Sequence, residues 1–183
     1  MLLIEARQRS RVAGGELVRL DEQDRAGWDR DLIAEGHALV RERLVAVASG
    51  GAAPGRYQLL AAINAVHTDA RDARDTDWSQ IVQLYDQLYA VEQTPVVALN
   101  RAIAVAEVDG PQVALAAIDG LDLAGYHAWH ASRADLLRRL GRSDEARAQY
   151  DEAIAATANP AEIAYLTRRR NQLSHAPHPN GTV

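Results

Sequence analysis

The chain has 183 residues and a net charge of −5, long enough for one ordinary domain or two small ones, and too acidic for any global attraction to a phosphate backbone. It contains no Cys, which excludes a disulfide framework and a thiolate metal site. No apolar run approaches the roughly 18 residues of a membrane span, so the expected location is the cytoplasm. All 20 basic side chains are Arg, and Phe is absent; with abundant Ala, that composition favours helices packed through small residues over a sheet protein.

In chain order, MLLIEARQR is an apolar half-turn running straight into charge, with neither an N-cap nor a targeting signature, as in a helix continued from something longer. Gly14-Gly15 before Glu16, Leu17, Val18, Arg19 and Leu20 predicts a turn and a short extended run, a small β-hairpin near residues 11–20 to which no function is assigned. From Asp21 to Ala48 carboxylates come early and Arg late, matching a helix macrodipole, with Leu32, Ile33, Val40, Leu44 and Val47 on one face. Ser49-Gly50-Gly51 and Pro54-Gly55 end that helix, and Tyr57 to His67 begins another with Leu60, Ile63 and His67 on its stripe. Asp72 to Thr76 reads as a polar loop, with Thr76 capping a helix that turns Trp78, Ile81, Val82, Tyr85, Leu88 and Tyr89 inward.

Thr94-Pro95 is a capped start with proline at the first helical position, and the hairpin that follows turns at Asp109-Gly110-Pro111. A second hairpin runs from Tyr126 to Pro160 around Gly141, with Tyr126, Trp129, Ala134, Leu137 and Leu140 on one stripe and Ala146, Tyr150, Ala153 and Ile154 on the other. Ala102, Ala114 and Ile118 recur as Ala134, Ala146 and Tyr150, always 32 residues later. That period, with small residues where helices cross closely, marks a tetratricopeptide-like repeat in which neither hairpin buries its apolar face alone. The expected fold is all-α: a single helical domain over 1–173, with N-terminal helices to 93, tetratricopeptide-like hairpins over 94–173 and a disordered tail at 174–183.

The series QDRAGWDRDLIAEG, RYQLLAAINAVH, DTDWSQIVQLYDQL, TPVVALNRAIAVAEVDGP and AWHASRADLLRRLGRSDEA resembles the C-terminal extension of a group of bacterial extracytoplasmic-function (ECF) sigma factors. That group carries a tetratricopeptide-like domain behind two DNA-binding regions. The resemblance spans Leu2 to Leu173 in order, and LLIEARQRSR looks like the helix that follows the promoter-binding helix-turn-helix. The regions that bind core polymerase and read the promoter elements are missing from this chain. The resemblance implies a regulatory, protein-interaction module of a transcription initiation factor, whose partners are the sigma regions of the same protein, polymerase core or a regulatory protein, with no direct DNA binding by this segment. A free-standing adaptor is the alternative, and a small-molecule sensor stands behind it.

Tetratricopeptide stacks line their concave surface with the first helix of each hairpin, which would bring Leu99, Ile103, Glu107, Asp135, Arg138 and Arg139 into a groove, with Arg168 and Arg169 extending a basic stripe toward an acidic partner. Solvated helix faces are the alternative reading of those arginines. Gln23, Asp24, Arg25 and Trp28 match the family motif and form a polar cluster suited to pinning the small hairpin to the helical body. Gln58, His67, Asn100, Arg101 and His130 would matter for sensing or hydrolysis only if they converged in a pocket. His127 and His130, three apart, have no matched ligand set, and Asp21, Glu22, Asp24, Asp29 and Asp31 are carboxylates expected near a helix start. With no nucleophile motif, phosphate loop or dinucleotide glycines, the expectation is no enzyme, cofactor or metal.

Overall fold

The computed structural model describes residues 1–173, a tetratricopeptide-like stack of antiparallel helices with one small β-hairpin. After a single turn, α1 (Leu2–Glu5), strands β1 (Val12–Ala13) and β2 (Glu16–Leu17) pair antiparallel, Val12 opposite Leu17 and Ala13 opposite Glu16. Gly14 and Gly15 make that turn at φ +58° and +83°, a left-handed pair that side chains resist. Then follow α2 (Arg30–Ala48), α3 (Arg56–Asp69), α4 (Trp78–Val91), α5 (Pro95–Val108), α6 (Pro111–Asp119), α7 (His127–Arg139), α8 (Ser143–Ala155) and α9 (Pro160–Gln172). From α2 onward each helix packs on its sequence neighbour. Among the described residues, no helix is long and apolar enough to cross a membrane.

The hairpins over α5–α8 follow the 32-residue spacing closely. Ala102, Ala114, Ile118, Ala134, Ala146 and Tyr150 are all at most 2% exposed and share one cluster with Leu137, Ala153 and Leu166. Alanines at the crossings let the helix backbones approach, and the larger Ile118 and Tyr150 fill the space beyond them. A second cluster joins Leu59 and Ile63 of α3, Ile81 and Leu88 of α4 and Val97 and Ala104 of α5. Helix α5 thus feeds both clusters, Leu99, Ala102 and Ala106 on one side and Val97 and Ala104 on the other. Gly110 at φ +91° and Gly141 at φ +74° make the hairpin turns. Trp129, expected deep in the stripe, is only partly buried; its indole N–H donates to the Ile118 carbonyl at 2.9 Å.

Two element boundaries differ from expectation, each because an aspartate supplies the cap. Residues 21–28 are not helical apart from a 3-10 turn at Arg25–Gly27; α2 begins only where the Asp29 carboxylate accepts from the Asp31 and Leu32 amides. Asp77, not Thr76, caps α4, accepting from the Gln80 amide at 2.9 Å, while Thr76 is buried. The segment Ser174 to Val183, expected to be disordered, lies outside the described residues.

Candidate functional site

The stack closes on its own N-terminal segment. Residues 7–28 form a strap from α3 to α7 and α9, held at both ends by polar contacts. At the far end Asp135 of α7 is the hub: Arg19 Nη1 lies 3.4 Å from its Oδ1, Arg138 Nη2 2.8 Å and Arg169 Nη2 3.0 Å. Burial pushes the Asp135 carboxyl up, but Arg19, Arg138 and Arg169 more than offset it and hold the group below its usual range. Burial likewise opposes the charge on Arg19, and Asp135 and Asp21 overcome it, so Arg19 stays protonated. Beside this hub, Arg168 Nε donates to Glu16 Oε2 at 2.8 Å, tying α9 to β2.

This arrangement corrects the open basic groove. Arg138, Arg168 and Arg169 are neutralised by Asp135 and by Glu16 of the strap, and Arg139 is engaged by Glu107 at 2.6 Å and the Ala106 carbonyl at 3.0 Å. Leu99 is 1% exposed and belongs to the core, so it lines no surface, whereas Ile103 is exposed at 38%. What the sequence offers as a vacant basic stripe is a folded ion-pair network that the chain's own hairpin completes.

At the near end the motif residues anchor the strap. Arg25 donates from Nη1 to the His67 and Ala70 carbonyls at 2.8 and 2.7 Å, capping the C-terminus of α3, where the helix dipole favours a cation. Its guanidinium lies 4.6 Å from the Trp28 ring centroid, with Arg7 at 5.8 Å. Arg7 also donates to Asn64 Oδ1 at 2.7 Å, Gln23 donates to the Val18 carbonyl at 3.1 Å, and the Asp24 carboxylate accepts from the Ala26 amide. Trp28 is 5% exposed, and its Nε1–H has no acceptor among the described residues.

Gln58, His67, Asn100, Arg101 and His130 are not brought together. They lie on α3, α5 and α7, and no hydrogen bond joins any two of them; Gln58 and Asn100 are exposed. Arg101 pairs with Asp86. His130 donates from Nε2 to the Ala124 carbonyl at 2.7 Å, with Nδ1 3.0 Å from Gln149. His67 packs edge-on against Trp78, and burial, then Arg7 and Arg25, lower its pKa to about 4, so it is neutral near pH 7. His127 faces Glu162 at 3.3 Å, and among the described residues no cluster of three metal-ligating side chains occurs.

A family model described as a family of unknown function (DUF6596) matches residues 1–44, which are α1, the strap and most of α2. An uncharacterized protein of Rhizobium meliloti is 41% identical over 186 residues, covering 100% of this chain and 42% of its own length. The chain therefore spans less than half of that curated relative. No solved structure matches it.

The residues missed from the sequence are Glu16, Arg19, Arg7 and Asn64. The one available signal was the alternation of Glu16 and Val18 against Leu17 and Arg19, which marks a strand with two dissimilar faces but does not name the surface it meets.

Proposed function

We propose that this chain is the regulatory, protein-binding segment of a longer cytoplasmic sigma factor of the ECF kind, and that it engages the sigma regions or polymerase core through the surface the strap now covers. The observation that supports this most is the strap itself. An extended hairpin lies against the first helices of two successive repeats, where tetratricopeptide-like stacks take up extended partner segments, and its far end is tied by ion pairs in addition to its partly buried side chains. Ion pairs of this kind exchange readily for those of a competing charged segment. The ordered resemblance and the length of the relative, more than twice that of the chain, support the same reading. The segment acts on transcription through protein contacts and reads no promoter, as its net charge of −5 leads one to expect.

The test is calorimetric titration of the chain with separately prepared sigma regions and with polymerase core, comparing wild type with Glu16→Arg/Arg19→Glu, which breaks the two far-end ion pairs of the strap, Arg168–Glu16 and Arg19–Asp135. The expected result is measurable binding to one of the two that tightens at least about fivefold when the strap is loosened. Absence of binding to either, by both proteins, overturns the sigma-factor reading and leaves an adaptor with other partners.

A further inference from the structure

A cleft of about 690 Å³ lies between α2 and the C-terminal end of α3, outside the surface covered by the far end of the strap. We infer that this cleft binds a small phosphorylated molecule of about mononucleotide size. Its wall carries four arginines, Arg25, Arg30, Arg41 and Arg71, against one carboxylate, Asp69, in a chain whose net charge is −5. Asp69 does not neutralise them: its side chain is 84% exposed and its ion contact is His37 at 3.9 Å.

The state of those arginines separates this cleft from the rest of the surface. Most of the 20 arginines are tied to a carboxylate, an amide or a carbonyl. Arg9, Arg11, Arg30, Arg41 and Arg71 have no such hydrogen bond or ion pair among the described residues, and three of these five line this one cavity. Asp69 in the wall and Asp72 and Asp75 near Arg25 offset only part of four positive charges; like charges left in excess repel one another, and an anion bound among them relieves that repulsion. Guanidinium forks match phosphate oxygens two by two, which a carboxylate-poor cleft leaves them free to do. The floor supplies apolar surface from Trp28, Ile33 and Ala34, and a volume in the range of small-ligand sites accommodates a ring beside the phosphates. Arg25, already held by the α3 carbonyls, serves as the fixed member of the set. This inference stands apart from the sigma-factor reading, since it rests on α2, the end of α3 and the near end of the strap, and needs no protein partner.

The experiment is isothermal titration of the 183-residue chain with ATP, with inorganic pyrophosphate and with adenosine. ATP and pyrophosphate are expected to bind saturably and adenosine not, with affinity falling as salt rises. Arg30→Gln/Arg41→Gln/Arg71→Gln, which removes three exposed charges and no intramolecular bond, is expected to weaken ATP at least about tenfold with unchanged helical circular dichroism. The single reversal Arg71→Glu, on the loop after α3, reports the same effect with the helices untouched. Saturable binding of neither phosphorylated probe by wild type overturns the inference. So does an ATP affinity that neither variant changes.

Discussion

The C-terminal hairpins and the N-terminal strap are held by different physics. Between α5 and α9 the interior is alanine, leucine, isoleucine and tyrosine, closed against water, and its stability comes from apolar area and close packing. Between Met1 and Ala48 only Leu3, Ala6, Trp28 and Gly36 are buried, and α2 leaves Leu39, Leu44 and Val45 more than half exposed. There the chain is fastened by Arg7, Arg19, Arg25 and Arg168 through directional bonds to named acceptors. A packed core fails as a unit, whereas a set of anchors fails one at a time, so the second region suits a part that exchanges.

The largest expected effect strikes the packed region. Tyr150→Ala empties a site 2% exposed and should cost about 3–5 kcal/mol, lowering the denaturation midpoint of the whole chain. If chemical denaturation shows only local loss in α8, the two regions are less distinct than the packing says.

His67 provides a pH test where the strap meets α3. Its folded pKa, about 4, lies below the ordinary value near 6.5, so the unfolded chain takes up the proton first as pH falls. The stability this residue contributes is complete above pH ~6.5 and is lost as pH drops to ~4, a change of about 3 kcal/mol. His67→Gln should flatten that part of the stability profile, and an identical slope in the variant would place the titration elsewhere.

Next in size is the hub. Asp135→Asn leaves Arg19, Arg138 and Arg169 around a neutral amide and should cost about 1–3 kcal/mol. Its signature is local: trypsin cleavage after Arg11 and Arg19 should accelerate while the hairpin core stays protected from hydrogen exchange. Acid should mimic it. Because the folded carboxyl is depressed, its contribution is complete above the ordinary carboxylate value near 4 and is lost as pH falls through the folded value.

The smallest effect tests the contact of α1 with α2. A Cβ on Gly36 would lie 2.5 Å from Leu3 Cδ2 and 2.7 Å from Cγ, so Gly36→Ala must displace Leu3. Overpacking of roughly 1–3 kcal/mol is partly offset by a gain in helix propensity of about 1 kcal/mol. The expected net loss is near 1 kcal/mol by thermal melting, with faster amide exchange in α1; a stabilised variant would show that α1 is not seated on Gly36.

The sequence by itself determined the all-α stack, the Gly110 and Gly141 turns and the small β-hairpin, because each follows from a local period or from backbone freedom at glycine. The 32-residue recurrence even named the buried set Ala102, Ala134, Ala114, Ala146, Ile118 and Tyr150, since crossing helices demand small residues at fixed intervals. Local caps were legible only in part: Thr94 stands where expected, while Asp29 and Asp77 sit among other carboxylates that compete for the same role. What only the tertiary structure decided is which charges meet. Glu16 and Arg168 are 152 residues apart, and a charged side chain carries no periodic mark of its partner, because the Coulomb attraction depends on distance in the folded chain and not on spacing along it. The groove arginines were therefore visible as residues, but their neutralisation by the strap was not, nor was the gathering of Arg30, Arg41 and Arg71 around one cleft.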